Sequence, residues 1–225
     1  MTVILNTWPA PLNLELREKL ERVSFPTIGH YLEEGFGEPS LQRQVGAGRV
    51  VGRAVTVRTL ATDSTLLHHI VGHIEPGDVL VVDTGGDRRH APVGLVVAAA
   101  AAHAGAAGIV VDGVITDVEE VATLGIPIFA YGRSVLTTKL QGLDGGGVNV
   151  PVIAGGVRVE PGDVVLGDAN GLFIASPTVV ADIIDVALAD DAEEPELIAA
   201  IRNGARLGDE TGATSAAMAL ADSAH

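Results

Sequence analysis

The chain has 225 residues, 47% of them hydrophobic, no cysteine and a net charge of −15. This length suits one domain with a substantial core, and the missing cysteines exclude disulfides and thiolate chemistry. The strong negative charge without a basic stripe argues against a nucleic-acid partner, and the absence of a membrane-length apolar run or a cleavable signal favours a cytoplasmic protein without membrane contact.

The first third of the chain predicts two helices followed by two strands. Leucines recur at every fourth residue around 13–22, which indicates an amphipathic helix. Thr27 is placed to cap a second, short helix that stops at Gly35. Residues 49–60 alternate well enough for a pair of strands, with Gly52 as the bulge or turn.

The middle of the chain predicts strands that alternate with helices, which indicates an α/β protein with a mixed sheet. A helix is predicted over residues 64–74, and a Pro-Gly-Asp turn then starts a strand. Pro92 suits the first turn of an Ala-rich helix. The predicted strands of this region are 79–82, 108–112, 126–130 and 148–153.

The last third predicts a hairpin and further helices. The Gly-Gly pair at 155–156 is typical of a hairpin turn. A Ser-Pro pair opens a helix over 176–190, and Pro195 opens another that ends near Gly204. Residues 208–225 are small and polar, and we expect them to be frayed or packed on a neighbour.

Five segments in this order and spacing resemble the RraA-like family over roughly residues 20–185. They are PGDVLVVD at 76–83, the loop-to-helix turn around Gly94, GIVVDGVITDV at 108–118, LGIPIFAYG at 124–132 and PGDVVLGDANGLFIASP at 161–177. The family includes 4-hydroxy-4-methyl-2-oxoglutarate-type aldolases, 2-oxo-acid decarboxylases and non-enzymatic inhibitors of ribonuclease E.

The resemblance implies a swivelling β/β/α sandwich domain with a mixed sheet. It also implies assembly as a homotrimer, or as a dimer of trimers. We expect a single RraA-like domain over 1–225, with its core at about 20–185. Residues 186–225 would form a C-terminal helical extension and tail.

The turn at Gly94 is the strongest candidate for a substrate-binding site. The N–H groups of a first helical turn favour an anion, and in the family this turn holds the carboxylate of a pyruvate-like substrate. Alternatively, Gly94 only begins a helix and permits contact with the sheet. The candidate substrate-binding residues are Gly94, Leu95, Val96, Val97 and Asp112.

Asp117 is the candidate metal ligand. It matches the acid of the family's Arg-Asp pair, and one carboxylate with water ligands suits Mg²⁺ or Mn²⁺. The alternative role is a cap for a helix that begins at Val118.

Two positions depart from the aldolase pattern. Leu95 stands where the family's aldolases have an acid, and Thr116 stands where they have an arginine. A threonine hydroxyl donates one neutral hydrogen bond, which is much weaker than a guanidinium contact. Arg88 and His90, together with Arg89, are the candidates to replace the lost charge, unless they are only surface charges. The candidate catalytic residues are Arg88, His90, Thr116 and Asp117.

The histidines allow several readings. His69 and His73 have the i, i+4 spacing that can bind zinc on a helix, but without a glutamate between them they are also typical of exposed or interface residues. His30 lies where many relatives have aspartate and could face the site. We expect a structural role for His68, and a packed or exposed position for His103.

Three hypotheses for function follow. The first is a lyase that cleaves or decarboxylates a small carboxylated 2-oxo compound with help from Mg²⁺ or Mn²⁺, and whose standard aldolase activity is weak or lost. The second is a non-catalytic regulatory or binding protein on the same fold. The third is an enzyme of changed, metal-free chemistry in the same pocket.

Overall fold

The computed structural model describes residues 2–60 and 62–223, and a mixed sheet of nine strands forms the centre of this part of the chain. A separate hairpin, β8–β9, packs on the sheet. The strands are β1 (Ile4–Leu5), β2 (Gln42–Val45), β3 (Val50–Arg58), β4 (Asp78–Asp83), β5 (Gly108–Ile115), β6 (Ile128–Arg133), β7 (Gly147–Val148), β8 (Val152–Ala154), β9 (Val157–Val159), β10 (Val164–Gly167) and β11 (Leu172–Ala175).

The helices connect these strands and extend the chain at its C-terminal end. They are α1 (Leu14–Leu20), α2 (Phe25–Ile28), α3 (Thr65–Val71), α4 (Leu95–His103), α5 (Val118–Ala122), α6 (Pro177–Arg202), α7 (Leu207–Glu210) and α8 (Ala213–Asp222). Within the described ranges, no helix combines the length and the apolarity that crossing a bilayer requires.

The centre of the sheet is parallel. Strands β3, β4, β5 and β6 lie side by side in that order and in parallel, while β10 pairs antiparallel with β3. Every residue of β4 and β5 is buried, which explains why both read as nearly continuous runs of valine and isoleucine. The α/β class with a mixed sheet is therefore confirmed.

Successive side chains of β4 and β5 point to two different layers. Leu80 and Val111 pack under α3 and α4, and we call this the helical face. Val81 and Val110 pack under the β8–β9 hairpin, and we call this the hairpin face. This alternation decides which polar residues at the strand ends can meet.

The strand pair expected at residues 49–60 is wrong, because one continuous strand, β3, runs through Gly52. A side chain at this position would place its Cβ 2.3 Å from the carbonyl oxygen of Gly77. Gly52 therefore permits the close approach of two backbones and does not form a turn.

The second helix begins earlier than expected. Helix α2 spans Phe25–Ile28, with Pro26 in its first turn and Gly29 at its end, so it does not run on to Gly35. Thr27 does not cap it, because its hydroxyl donates to the Asp191 carboxylate at 2.5 Å. Proline is well suited to a first helical turn, so the helix begins before the predicted cap.

The strand expected at 148–153 is also wrong, because the segment divides between β7 in the sheet and β8 in the hairpin. Asn149 lies between them with a φ of 50°, which turns the chain out of the sheet. The predicted turn at 155–156 is confirmed, since both glycines have positive φ between β8 and β9.

The C-terminal helices differ from the prediction. Helix α6 continues through Pro195 to Arg202, although a break was expected. Residues 192–196 are exposed, so the carbonyl that loses its partner to the proline remains close to water. Residues 207–210 and 213–222 are helical, as α7 and α8, and packing of this segment on a neighbour stays a prediction, while residues 224–225 of the expected tail lie outside the described part of the chain.

Candidate functional site

A cavity of about 310 Å³ lies on the helical face, where α4 begins and β5 ends. We call it the Gly94 cavity. The first turn of α4 and the pair Thr116-Asp117 form one side of it, and residues 137–140 form another. His68 of α3 also contributes to the lining. The cavity has the size of a small-ligand site.

Backbone pairing brings the two sequence-predicted halves of this cavity together. Val93 bridges to Ile115, and the Thr116 amide donates to the Val93 carbonyl at 3.0 Å. Asp117 consequently lies directly against Gly94, where an added Cβ would be 2.5 Å from the Asp117 carboxylate. Gly94 is therefore needed for the close contact with Asp117. The alternative interpretation was that the glycine permits contact between the helix and the sheet.

Asp117 does not cap the helix that follows it. Its backbone is left-handed, with a φ of 53°, and its side chain makes no capping hydrogen bond to α5 within the described residues. Instead, its Oδ2 accepts a hydrogen bond from the Leu95 amide at 2.9 Å, across 22 residues of sequence. The protein's own carboxylate thus occupies part of the anion position at the start of α4.

This contact corrects the expectation that the whole first turn of α4 is free. The Leu95 amide is engaged by Asp117. Val96 and Val97 belong to the same turn, whose first N–H groups have no partner inside the helix. An external anion at this turn would therefore meet two valine amides and, beside them, an existing negative charge.

Lys139 is a candidate functional residue that the sequence reasoning missed. Its amide donates to Thr62 at 2.9 Å, and its carbonyl accepts from Ser64 at 2.9 Å. The neighbouring Thr138 amide donates to Ala91 at 3.2 Å. These contacts hold the lysine at the border of the Gly94 cavity, which is also lined by Thr116, the position at which the family's aldolases have arginine. No sequence motif marks the position of Lys139, because isolated β-bridges, and not a regular helix or strand, place it beside the cavity.

The carboxylate oxygens of Asp117 do not form a complete metal site by themselves. One of its oxygens accepts from Leu95, and the other lies 3.3 Å from the Thr116 hydroxyl. Over residues 2–60 and 62–223, no group of three histidine, aspartate or glutamate side chains is arranged to hold a metal ion. A cation here would need most of its oxygen ligands from water or from a bound compound.

Arg88 and Asp112 lie on the hairpin face, away from the Gly94 cavity. Asp112 is buried, and its Oδ1 accepts from the Gly155 amide at 3.0 Å. The Arg88 guanidinium lies 3.1 Å from the centre of the Tyr131 ring. Burial raises the pKa of Asp112, and the Gly155 amide and the Arg88 charge oppose that increase. Arg88 and Asp112 were predicted as candidates for the same site as Gly94, and this prediction is corrected, because strand side chains alternate between faces.

His90 takes part in the structure of its own loop. Its Nδ1 lies 2.9 Å from the Asp87 carboxylate, which also accepts the His90 and Arg89 amides. Burial alone would raise the pKa of Asp87, but these donors lower it to about 2. His90 is not among the residues that line the Gly94 cavity.

The remaining sequence-predicted histidines lie outside the Gly94 cavity. His30 is exposed and lies 4.0 Å from Asp190, so it does not face the Gly94 cavity. His103 is exposed at the end of α4. His69 and His73 lie on or just after α3, and both are exposed.

Comparisons with known proteins agree with this architecture. A family profile described as RraA-like, Aldolase/RraA, matches residues 30–174. A Halalkalibacterium halodurans protein named "Putative 4-hydroxy-4-methyl-2-oxoglutarate aldolase" is 39% identical over 126 residues, which cover 56% of this chain and only 59% of that protein.

Two solved structures are similar to this chain in both sequence and fold. RraAS2 of Streptomyces coelicolor, described as an unusual member of the RNase ES inhibitor RraA family, is 32% identical with a TM-score of 0.72, over 86% of this chain and 98% of its own. The RNA-processing inhibitor RraA from Thermus thermophilis is 30% identical with a TM-score of 0.62, over 69% of this chain and 93% of its own. The predicted resemblance and fold are confirmed, and this chain belongs to the RraA-like family.

Proposed function

We propose that this protein is a lyase that acts on a small carboxylated 2-oxo compound in the Gly94 cavity. One observation carries the proposal: the amide groups at the start of α4, the Asp117 carboxylate and the Lys139 side chain all border one cavity. Aldol cleavage of a 2-oxo acid requires amides that bind the carboxylate, a cation that stabilises the enolate and a group that accepts a proton.

The substrate carboxylate is best placed at the first turn of α4. The Val96 and Val97 amides supply donors there, and Lys139 supplies the positive charge that offsets Asp117. Leu95 and Val97 give the same wall an apolar character. The cavity therefore suits a short 2-oxo acid with an apolar branch.

In the proposed aldol cleavage, Asp117 accepts the proton of the 4-hydroxyl group, directly or through water. The C3–C4 bond then breaks, and its electron pair forms an enolate whose oxygen lies beside the Lys139 ammonium group. Proton transfer to C3 completes the first product, and the former C4 carries the new oxo group of the second product. With 4-hydroxy-4-methyl-2-oxoglutarate, both products are pyruvate.

We also propose that Mg²⁺ or Mn²⁺ binds weakly at Asp117 and more tightly together with a chelating 2-oxo acid. The single carboxylate supports weak binding, to which the oxo and carboxylate oxygens of the compound would add ligands. When bound, the ion supplies Lewis-acid stabilisation of the oxo group.

Cleavage of 4-hydroxy-4-methyl-2-oxoglutarate is expected to be slow. Leu95 and Thr116 replace an acid and a guanidinium, and loss of one such electrostatic donor costs about 10²–10³ in rate. The measurement is pyruvate release in a coupled assay with Mg²⁺, run beside oxaloacetate decarboxylation. We expect release above the uncatalysed rate, and we expect it to be lost in Lys139→Met but kept in Lys19→Met.

One outcome of this assay would contradict the expected slow rate, and another would contradict the proposed lyase function. Turnover in the ordinary enzyme range of about 1–10³ s⁻¹ would mean that Leu95 and Thr116 do not limit the chemistry. No release above the blank from either compound would favour the non-catalytic alternative.

A binding or regulatory protein is the second candidate, and the absence of the acid and the guanidinium at Leu95 and Thr116 favours it. The Streptomyces and Thermus relatives are both described as RraA inhibitors of RNA processing or as members of such a family. Oxalate binding without any turnover would support this candidate. An enzyme of metal-free chemistry would instead retain full turnover in the presence of a chelator.

We propose that the protein is a homotrimer or a dimer of trimers. Large apolar side chains of the C-terminal helices are exposed in the single chain, including Ile198 at 45%, Met218 at 64% and Leu220 at 72%. An interface between chains would cover such exposed apolar side chains. Light scattering is expected to give a multiple of three chains, and a stable monomer of 23.0 kDa at micromolar concentration would contradict the proposal.

A further inference from the structure

Three aromatic rings lie together at the C-terminal end of α3, on residues that the proposed function does not use. The ring centres of His69 and His73 are 4.7 Å apart, and the ring centre of Trp8 lies 6.0 Å from that of His73. Both histidines are exposed. Neither lines the Gly94 cavity, so the cluster is a separate feature of the surface.

One hydrogen bond determines which nitrogen of His73 is available to a ligand. Its Nδ1 lies 2.9 Å from the backbone carbonyl oxygen of His69. A carbonyl can only accept, so Nδ1 carries the proton and donates it. In the neutral ring, Nε2 then keeps its lone pair. Metal-binding histidines commonly have this arrangement, in which a carbonyl fixes one nitrogen and the other binds the ion.

We propose that His69 and His73 form a two-imidazole site for a divalent transition metal ion of the Cu²⁺, Ni²⁺ or Zn²⁺ class. A metal at about 2.0–2.1 Å from one nitrogen of each ring can bridge rings that are this close. Imidazole nitrogens select these ions over Mg²⁺, and Cu²⁺ binds most tightly in the series. The position at the carboxyl end of α3 favours a cation, and water completes the coordination.

The fluorescence of Trp8 provides a direct test, because it is the chain's one tryptophan and lies beside His73. Titration of the untagged full chain with Cu²⁺ is expected to quench this fluorescence, and a large excess of the more weakly bound Zn²⁺ is expected to reverse the quenching by competition. His69→Ala removes one ligand and leaves the Trp8–His73 pair in place. Since loss even of an outer partner costs about 10–100-fold in metal affinity, we expect the half-quenching concentration to rise at least about tenfold.

Two further variants separate this site from general metal binding. His73→Gln should weaken quenching as His69→Ala does, whereas His103→Ala removes an exposed histidine elsewhere and should change nothing. Unchanged circular dichroism would show that each variant is folded. The proposal is overturned if His69→Ala is quenched at the wild-type concentration, or if His103→Ala loses quenching to the same extent.

Discussion

Replacing Asp78 with alanine is expected to lower the free energy of unfolding by about 3–5 kcal/mol. Arg53 is only 5% exposed, and its Nε donates to Asp78 Oδ1 at 2.6 Å. Without this carboxylate, a buried guanidinium would keep its charge and lose its closest buried partner. Asp78 also accepts the Glu75 amide at 2.8 Å, so the turn before β4 would lose a second contact.

Urea unfolding, followed by circular dichroism, measures this effect. Glu75→Gln is the matched control, because Glu75 also pairs with Arg53 but its side chain is 61% exposed. Its loss should cost about 0–1 kcal/mol. Replacing Arg53 and Asp78 together, by methionine and leucine, should recover much of the stability. Equal losses for Asp78→Ala and Glu75→Gln would show that burial does not govern this pair.

Replacing Asp117 with alanine is expected to change oxalate binding in opposite directions with and without Mg²⁺. Without the ion, the variant should bind oxalate at least as tightly as wild type, because the Leu95 amide is freed and a negative charge is removed. With Mg²⁺, the wild-type protein should gain affinity and the variant should not. Isothermal titration of oxalate, with and without Mg²⁺, measures both effects.

Lys139→Met tests the cation of the same cavity, and it should weaken oxalate binding about 10–100-fold, since a charge-assisted hydrogen bond contributes about 1.5–3 kcal/mol. Lys19→Met is the control, because Lys19 pairs with Glu15 and Asp185 on a distant surface. If Asp117→Ala binds Mg²⁺ and oxalate together as tightly as wild type does, Asp117 only caps α4, and the catalytic role proposed for it is wrong.

Local patterns were sufficient for the central part of the fold. The apolar runs that form β4 and β5 are buried on both faces, so their composition was sufficient to predict strands there. The loop-to-helix turn at Gly94 and the following Thr116-Asp117 pair could also be located from the sequence. The sequence patterns gave wrong predictions at two positions. Gly52 permits a backbone contact and does not form a turn, and Pro195 lies inside an exposed helix and does not begin a new one.

The sequence by itself determined the family, the class of fold and the pair formed by the Gly94 turn and Asp117. Tertiary structure alone decided what those residues contact. Asp117 reaches Leu95 because a left-handed backbone turns it away from its own helix, and Lys139 reaches the cavity through isolated bridges that leave no periodic signal. Asp112 lies outside the Gly94 cavity because neighbouring side chains of a strand point to opposite faces, and only the packed layers show which face holds the cavity.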